Sequence, residues 1–330
     1  MPSANVRLPL PLVRQHPWYP GQVGGVPGAD AETGLRTHCT GTVFYVDPNY
    51  SGANTLRDGT NPTAPLSTIT AALANCGDYQ GDVVLVMQND AWQYSPNASY
   101  TTAIVEDVTC TKHGVAIIGA SPSGALGPVW QPATAAGTTL TVHGCDVLVE
   151  GFCFDGYVLG GAGGNGILAE WGAPPLWGDN FSVRHCFFSD TIDIAIQLEY
   201  AWNCYITNNV FQECDTAALY ADPAGSAPSN CRIANNWFHD CALAISMTEL
   251  EDSEIIGNRI YNSNAQGGGA ATDEGIDTAL GARNLIANNW FSCILPAGAP
   301  GDVDDFCSGS ASDAWIGNFC SNGMLVTTPT

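Results

Sequence analysis

The sequence predicts an all-β solenoid, a parallel β-helix, and two observations carry this prediction. First, a pattern of isoleucine, one further residue and asparagine recurs in the second half of the 330-residue chain, with successive asparagines 23 to 30 residues apart. Imperfect repeats of this length are typical of solenoids. Second, each repeat contains short β-rich pieces and no long helical period, which favours coils built of strands. The repeated asparagines are Asn208, Asn235, Asn258, Asn288 and Asn318.

These asparagines are expected to form a structural ladder. Equivalent residues of successive coils lie about 4.8 Å apart, the spacing between strands in a sheet. An amide side chain at such a position can hydrogen-bond to its copies above and below, and Asn tolerates the left-handed backbone of a sharp corner. We therefore expect all five in one column, with residues 183–185 and 149–151 continuing the register towards the N-terminus.

The opening of the coil predicts strands around one short helix. Residues 42–47 and 82–87 read as strands. Between them, residues 65–76 place Leu66, Ile69, Leu73 and Cys76 on one helical face, with Ser67 or Thr68 as the N-cap. A helix across the end of a solenoid covers strand edges and core that the first coil leaves open. We therefore expect one β-helix domain over residues 41–330 with an N-terminal capping helix.

The same opening carries a family resemblance. The segments that begin at Tyr45 (Tyr-Val-Asp-Pro), Asp58 (Asp-Gly-Thr-Asn-Pro), Pro65 and Gly81 resemble the N-terminal opening of pectate-lyase-like right-handed parallel β-helix proteins. The later Ile-x-Asn-Asn-x-Phe units are similar to the repeats of that superfamily, so the resemblance covers roughly residues 42–323. It implies a right-handed coil. The superfamily includes polysaccharide lyases and hydrolases, phage tailspikes and virion proteins without known catalysis, so the resemblance leaves the function open.

Residues 1–40 differ from the rest of the chain and are expected to form an extended arm. They are rich in proline and show no strand or helix period. Three arginines against two acidic residues give the arm a net charge of +1, whereas the remainder carries −24. An extended segment that is not acidic, attached to a strongly acidic body, favours docking on a partner over a free tail. The predicted contact residues of the arm are Arg7, Arg14 and Trp18.

Charge and hydropathy exclude several classes of partner. A formal net charge of −23 with a single lysine, Lys112, disfavours binding to nucleic acid or anionic membranes. No apolar run approaches the roughly 20 residues that span a bilayer. Prolines interrupt the apolar part of the N-terminus where a signal peptide needs an unbroken core, so synthesis in the cytoplasm without secretion by the usual route is expected.

Thirteen cysteines allow two interpretations. In the repeat register Cys204 aligns with Cys231, and Cys214 aligns with Cys241. Neighbouring coils are close enough for two disulfides, but small buried thiols that pack as apolar side chains fit the same pattern. The expected cytoplasmic synthesis favours thiols. The absence of any Cys-x-x-Cys pair argues against a metal site.

An apolar stripe follows the asparagines. Two adjacent positions are apolar in successive repeats, and side chains alternate across a strand, so one of the two columns is expected to face outward. Phe211, Phe238, Tyr261 and Phe291 fit the inward column. The outward stripe favours a partner surface, with loop cover and a sugar-stacking platform as the other possibilities. Its predicted members are Val210, Trp237, Ile260 and Trp290.

Carboxylates cluster in two segments between repeats. Asp273, Glu274 and Asp277 offer a glycosidase acid and base pair, which needs carboxyl groups about 5–10 Å apart. Solvated acidic loops are expected from this composition in any case, so no catalytic residue and no cofactor are predicted. Calcium is the one possible ion, because hard oxygen ligands suit it. Its candidate ligands are Asp302, Asp304 and Asp305.

The arginines argue against a lyase, because that reaction needs a cation beside the carboxylates. In the repeat register Arg184 aligns with Glu150, which predicts an ion pair between coils. Arg232 is expected between Tyr205 and Ile255.

One function accounts for a β-helix without a recognisable signal peptide, a proline-rich arm and an apolar stripe. The sequence favours a non-enzymatic structural protein of a phage virion, a capsid decoration or tail-associated spike made in the host cytoplasm. The arm is expected to anchor it to another virion protein, and self-association as a homotrimer is implied by the resemblance to other virion β-helices. The alternatives are a polysaccharide depolymerase, either a glycosidase or a lyase, and a glycan-binding attachment protein.

Overall fold

The structure, a computed structural model, is a solenoid of short parallel strands. It describes residues 41–50, 57–87, 103–120, 127–134, 136–156, 164–170, 178–189, 192–221, 227–261, 275–292, 307–320 and 325–326. The chain visits three sheets in turn and then repeats, so each strand pairs with its counterpart one coil away. All strand pairs in the described residues are parallel apart from the last one. This confirms the β-helix solenoid predicted from the repeats.

Sheet 1 contains ten strands in chain order. They are Val43–Val46 (β1), Val83–Val86 (β2), Ala116–Gly119 (β5), Leu148–Glu150 (β8), Ser182–Arg184 (β11), Tyr205–Thr207 (β14), Arg232–Ala234 (β17), Glu254–Ile256 (β20), Leu285–Ala287 (β23) and Ala314–Ile316 (β26).

Sheet 2 also contains ten strands, and it forms the face that carries the candidate site. They are Ile104–Val105 (β3), Val129–Gln131 (β6), Cys153–Asp155 (β9), Phe187–Ser189 (β12), Val210–Gln212 (β15), Trp237–His239 (β18), Arg259–Tyr261 (β21), Trp290–Ser292 (β24), Asn318–Cys320 (β27) and Leu325–Val326 (β28), the last antiparallel to β27.

Sheet 3 contains eight strands. They are Val108–Cys110 (β4), Thr138–Val142 (β7), Asn165–Ala169 (β10), Ile194–Leu198 (β13), Ala217–Ala221 (β16), Ile245–Ser246 (β19), Ile276–Thr278 (β22) and Cys307–Gly309 (β25).

The core lies inside the coil and is built from identical layers of side chains. The central strand position of sheet 2 points inward, and its aromatic rings stack from coil to coil. The Phe154 and Phe188 rings lie 4.8 Å apart, those of Phe188 and Phe211 4.9 Å, and those of Phe211 and Phe238 4.8 Å, with interplanar angles of 7–9°. These spacings equal the distance between strands, so the sheet register itself sets the ring stack.

The corner between sheet 1 and sheet 2 corrects the predicted asparagine ladder. The five asparagines fall into two adjacent columns instead of one. Asn208, Asn235 and Asn288 have φ between 54° and 57° and form the left-handed corner. Asn258 and Asn318 instead belong to the following, fully buried column. Their neighbours in that column are the second residues of the Asn-Asn pairs, Asn209, Asn236 and Asn289.

Two glycines at the corner explain why the asparagines divide between two columns. In the coil of β20 the corner residue is Gly257, with φ of 68°, because Ile255 and not Ile256 pairs with Ile233. A Cβ atom at Gly257 would lie 2.8 Å from Oδ1 of Asn235, so glycine avoids a close contact at this corner and also adopts the positive φ that it requires. Gly317 repeats the arrangement above Asn288. In the Ile-Gly-Asn triplets the glycine, and not the asparagine, therefore aligns with the corner asparagines of the other coils.

The buried column is the true ladder. Nδ2 of Asn236 donates to Oδ1 of Asn258 at 3.1 Å and to the carbonyl oxygen of Ile206 at 2.8 Å. The backbone N–H and Nδ2 of Asn209 both donate to Oδ1 of Asn236. The same pattern runs through Asn289 to the end of the coil. Every amide group in this column is thereby hydrogen-bonded where water has no access.

The only helix of the described residues, α1 at Ile69–Asn75, lies at the N-terminal end of the coil. The Thr68 side chain accepts a hydrogen bond from the backbone N–H of Ala71, as predicted for an N-cap. Ile69 and Leu73 are buried in the core, and the helix packs against β1, β2 and β4.

Arginine pairs on sheet 1 partly confirm the predicted register. Arg184 Nη2 lies 3.0 Å from Glu150 Oε2, the ion pair expected between coils. Burial raises the pKa of Glu150, but the hydrogen bond from His185 and the Arg184 charge outweigh burial and leave that pKa below its ordinary value. Arg232 pairs with Glu254 at 3.3 Å and not with Ile255, a further consequence of the one-residue shift in that coil.

Ten cysteines of the described residues are thiols outside any disulfide, and nine of these ten are buried. Cys204 lies one coil from Cys231, and Cys214 lies one coil from Cys241, as the register predicted. A hydrogen bond to Cys231 and burial both raise the pKa of Cys204. The same causes, with Cys241 as partner, raise that of Cys214. In this structure the two aligned pairs are therefore buried thiols and not disulfides.

Candidate functional site

A continuous outward column on sheet 2, here called the sheet 2 stripe, is apolar along most of its length. In register it contains Val129, Cys153, Phe187, Val210, Trp237, Arg259, Trp290 and Phe319. Val129, Cys153 and Phe187 are buried, with 1%, 0% and 6% of their surface exposed. Trp237 and Trp290, by contrast, are 49% and 48% exposed. The stripe is therefore covered in its N-terminal half and open in its C-terminal half.

The structure corrects one member of the predicted stripe. Ile260 points into the core with none of its surface exposed and continues the column of Phe238 and Phe291. Tyr261, predicted to face inward, is 39% exposed. The outward position of this coil belongs to Arg259, because the corner residue of the coil is Gly257 and not Asn258, so each position of the strand lies one residue earlier than predicted. Trp237 and Trp290 lie outward as predicted, and Val210 is half-buried.

A second outward column runs beside the exposed half of the stripe. It consists of His239, Tyr261 and Ser292 in register on β18, β21 and β24. The His239 and Tyr261 rings stack at 5.0 Å with an interplanar angle of 4°. His239 Nδ1 lies 2.9 Å from Asp240 Oδ2, which fixes the imidazole orientation. Nε2 of His239, the Tyr261 hydroxyl and the Ser292 hydroxyl thus form a polar row next to the apolar rings.

Together the two columns line one cleft of about 470 Å³, here called the aromatic cleft. Three neighbouring strands supply all of its described lining residues, so the sheet ladder fixes their spacing. Its volume lies within the usual range of small-ligand sites, and its mixture of rings and a few polar groups is typical of them. Its lining residues are Trp237, His239, Arg259, Ile260, Tyr261, Trp290 and Ser292.

Arg259 differs from the other arginines that the structure describes. Arg184, Arg232 and Arg283 each pair with a carboxylate, and Arg57 donates to a backbone carbonyl oxygen. The exposed guanidinium of Arg259 has no hydrogen bond or ion pair with a described residue. It lies between Trp237 and Trp290 in the stripe, and the described lining of the cleft contains no carboxylate. The cleft therefore offers one positive charge flanked by two indole rings.

Most of the predicted carboxylate candidates lie outside the described residues. These are Asp273 and Glu274 of the first segment and Asp302, Asp304 and Asp305 of the second. Asp277 is described, and it lies on sheet 3 and not in the aromatic cleft. Its Oδ1 accepts hydrogen bonds from the Ser308 hydroxyl and from the backbone N–H of Ala279, which gives it a structural role at that strand end.

The remaining predicted contacts belong to the arm. Residues 1–40, with Arg7, Arg14 and Trp18, lie outside the described part of the chain. Among the described residues there is no group of three or more His, Cys, Asp or Glu side chains placed to hold a metal ion. No helix there is long and apolar enough to cross a membrane.

Comparisons with known proteins agree with this architecture. Residues 135–291 match the family model of the right-handed β-helix region. Among curated protein sequences, none matches the chain significantly.

Several solved structures are similar. A lacto-N-biosidase from Eubacterium ramulus has a TM-score of 0.50 at 10% identity, and the match covers 84% of this chain and 55% of that protein. A pectate lyase variant from Xanthomonas campestris has a TM-score of 0.45 at 12% identity, with 76% of each chain covered. A rhamnogalacturonan lyase has a TM-score of 0.38 at 15% identity, over 76% of this chain and 68% of the other. At these identities the likeness concerns the fold alone, and the family model identifies residues 135–291 as similar to a right-handed β-helix region.

Proposed function

We propose that this protein is a non-enzymatic structural component of a phage virion, a tail-associated spike, that attaches to a glycan through the aromatic cleft. One observation carries the binding part of this proposal. Trp237 and Trp290 are nearly half exposed on the outer face of a rigid sheet, on either side of Arg259. Large exposed rings cost hydration free energy, so a surface that keeps several of them together is typical of a binding site.

The size of the exposed face favours a small ligand over a large protein interface. From β18 to β27 the open half of the stripe spans three strand spacings, about 15 Å, and each strand contributes about 10 Å of width. This flat area of about 150 Å² matches a ligand of a few sugar rings, whereas a stable protein complex buries roughly 800 Å² of accessible surface on each partner and would need contacts beyond the stripe. Val129, Cys153 and Phe187 of the stripe are already buried within the chain. A ligand the size of an oligosaccharide suits this face better.

The chemistry of the cleft matches a sugar. A pyranose ring has a face of C–H groups and an edge of hydroxyl groups, so it needs an apolar plane with hydrogen-bonding groups beside it. The indole rings of Trp237 and Trp290 supply the plane. The row of His239, Tyr261 and Ser292 supplies donors and acceptors along one side.

Hydrolysis is not part of the proposal, because glycosidic cleavage needs two carboxyl groups on opposite sides of the bond. The described lining of the cleft has none, and Asp277 is engaged on sheet 3. A depolymerase that uses Asp273 and Glu274 is the competing function, and an activity assay separates the two. No calcium is required for binding in this proposal.

The place of the protein in a virion is proposed from its arm. The proline-rich composition and the net charge of +1 in residues 1–40 suit docking on another virion protein, through Arg7, Arg14 and Trp18. We also propose that the body assembles as a homotrimer. If the cleft binds no glycan, a capsid decoration protein replaces the tail-associated spike as the proposed role.

The glycan function predicts a clear loss of binding in two variants. Trp237→Ala and Trp290→Ala should each weaken binding to the best oligosaccharide of a glycan array at least about tenfold, or about 1.4 kcal/mol, because each removes one stacking surface. Titration calorimetry measures the loss. Trp202→Ala is the matched control, since Trp202 is 41% exposed at an isolated β-bridge outside the cleft and its variant should bind as wild type.

Two results would count against this function. Equal binding by all three variants would remove the cleft as the binding site. Release of reducing ends or unsaturated products from the bound glycan would replace attachment by depolymerisation. If that activity disappears in Asp273→Asn or Glu274→Gln, the acidic segment would be the catalytic one.

A further inference from the structure

We propose that the glycan bound in the aromatic cleft carries a carboxylate, that Arg259 binds this carboxylate, and that Trp237 and Trp290 hold the sugar rings on either side of it. This inference rests on the proposed glycan function and specifies the ligand. It makes Arg259 the residue that determines specificity for an acidic sugar.

The position of Arg259 in the sheet is the first argument. Its strand pairs directly with the strands of both tryptophans, so the three side chains leave the same face at steps of about 4.8 Å. The two indoles therefore lie about 10 Å apart with the guanidinium between them. A ligand that covers both rings must pass over Arg259. The chemical group of the ligand that lies there must be compatible with a positive charge.

The state of the guanidinium is the second argument. Every other arginine in the described part of the chain has an acceptor from the protein, whereas Arg259 has none there. The described lining of the cleft supplies no negative charge to pair with it. Guanidinium groups bind carboxylates through two parallel hydrogen bonds, a geometry that a hydroxyl group does not reproduce. Although the chain has 32 acidic against 9 basic residues, the guanidinium of Arg259 is thus available to bind a carboxylate of a ligand.

The strongly acidic body does not prevent such binding. At physiological ionic strength the Debye length is about 8 Å, so exposed carboxylates beyond that distance act weakly on a ligand in the cleft. Asp240, a carboxylate beside the cleft, is paired with His239. One acidic group at Arg259 on an otherwise neutral oligosaccharide meets a local positive charge, whereas a densely charged polyanion would meet the repulsion of the whole body.

A second copy of this chain is the other possible occupant. It would bring a body with a net charge of −23 against the same surface, and the exposed face is too small for a stable dimer on its own. The oligomeric state therefore forms one arm of the test.

The experiment uses two acidic oligosaccharides, one with a glucuronate residue and one with a sialic acid residue, each beside a counterpart whose carboxyl group is reduced to an alcohol. Wild-type protein should bind at least one acidic form more than tenfold more tightly than its reduced counterpart by titration calorimetry. Arg259→Gln should abolish that preference, so that the acidic form and its reduced counterpart bind this variant with equal affinity. Arg232→Gln is the control, because Arg232 is similarly exposed but paired with Glu254 on sheet 1, and it should bind as wild type.

The other outcomes show whether the proposed role of Arg259 fails alone or the glycan function fails with it. Equal affinity for acidic and reduced forms, or an unchanged preference in Arg259→Gln, would overturn the role of Arg259 and leave the glycan function standing. No binding to any oligosaccharide would overturn the glycan function and this inference with it. A smaller oligomer in Arg259→Gln or Trp237→Ala, measured by light scattering, would identify a second copy as the occupant.

Discussion

Phe238→Ala is expected to lower the free energy of unfolding by about 3–5 kcal/mol, the usual cost of emptying a buried aromatic site. Phe238 has no exposed surface, and its ring stacks on Phe211 at 4.8 Å inside the coil. The neighbouring coils are held at the sheet spacing and cannot close the cavity, which places the cost at the upper end of that range. Guanidinium unfolding followed by circular dichroism measures the difference through the shift of the midpoint.

The control for this variant is the residue before it. Trp237 belongs to the same strand but points outward and is 49% exposed. Trp237→Ala should therefore change the free energy of unfolding by less than about 0.5 kcal/mol. Equal losses in the two variants, or a larger loss in Trp237→Ala, would contradict the assignment of the inner and outer faces of sheet 2.

Asn236→Ala is expected to cost at least about 3 kcal/mol, although it removes no apolar surface. The amide of Asn236 donates to the Ile206 carbonyl oxygen and to Asn258, and its Oδ1 accepts from two N–H groups of Asn209. Alanine leaves these groups buried without partners, and each such group costs about 1–3 kcal/mol. The same unfolding measurement applies, and the loss should also lower the thermal midpoint.

The matched variant is Asn235→Gly, one residue earlier. Asn235 is exposed at the left-handed corner, with φ of 56°, and the equivalent corners of two later coils are glycines. Its substitution should change stability by no more than about 1 kcal/mol. A loss in Asn235→Gly as large as that in Asn236→Ala would mean that the corner column, and not the buried one, stabilises the coil.

The comparison of these two columns shows what the sequence could predict. The repeat length and the β-rich pieces were sufficient for the solenoid, because identical coils must place identical residues in columns. The register failed by one residue at Gly257 and Gly317. Glycine and asparagine are interchangeable at a left-handed corner, so a search for Asn alone aligned the wrong residue. An alignment of Gly257-Asn258 with the Asn-Asn pairs would have corrected it.

That single shift also hid the central residue of the candidate site. With Ile260 placed outward, the stripe contained only apolar residues and favoured a protein interface. With Arg259 in that position, the same face presents a cation between two indoles. The exposure of the stripe could not be predicted either, because Phe187 and Trp237 have equivalent positions but are 6% and 49% exposed. What covers an outer face depends on tertiary contacts that the repeat pattern does not encode.

A crystal structure of the protein with its best-binding oligosaccharide tests the central claim most directly. Our account predicts sugar rings against the faces of Trp237 and Trp290, a carboxylate within about 3.2 Å of the Arg259 guanidinium, and an intact glycosidic bond. A glycan bound instead on the outer face of sheet 3 beside Asp277, or a cleaved product in the cleft, would contradict it.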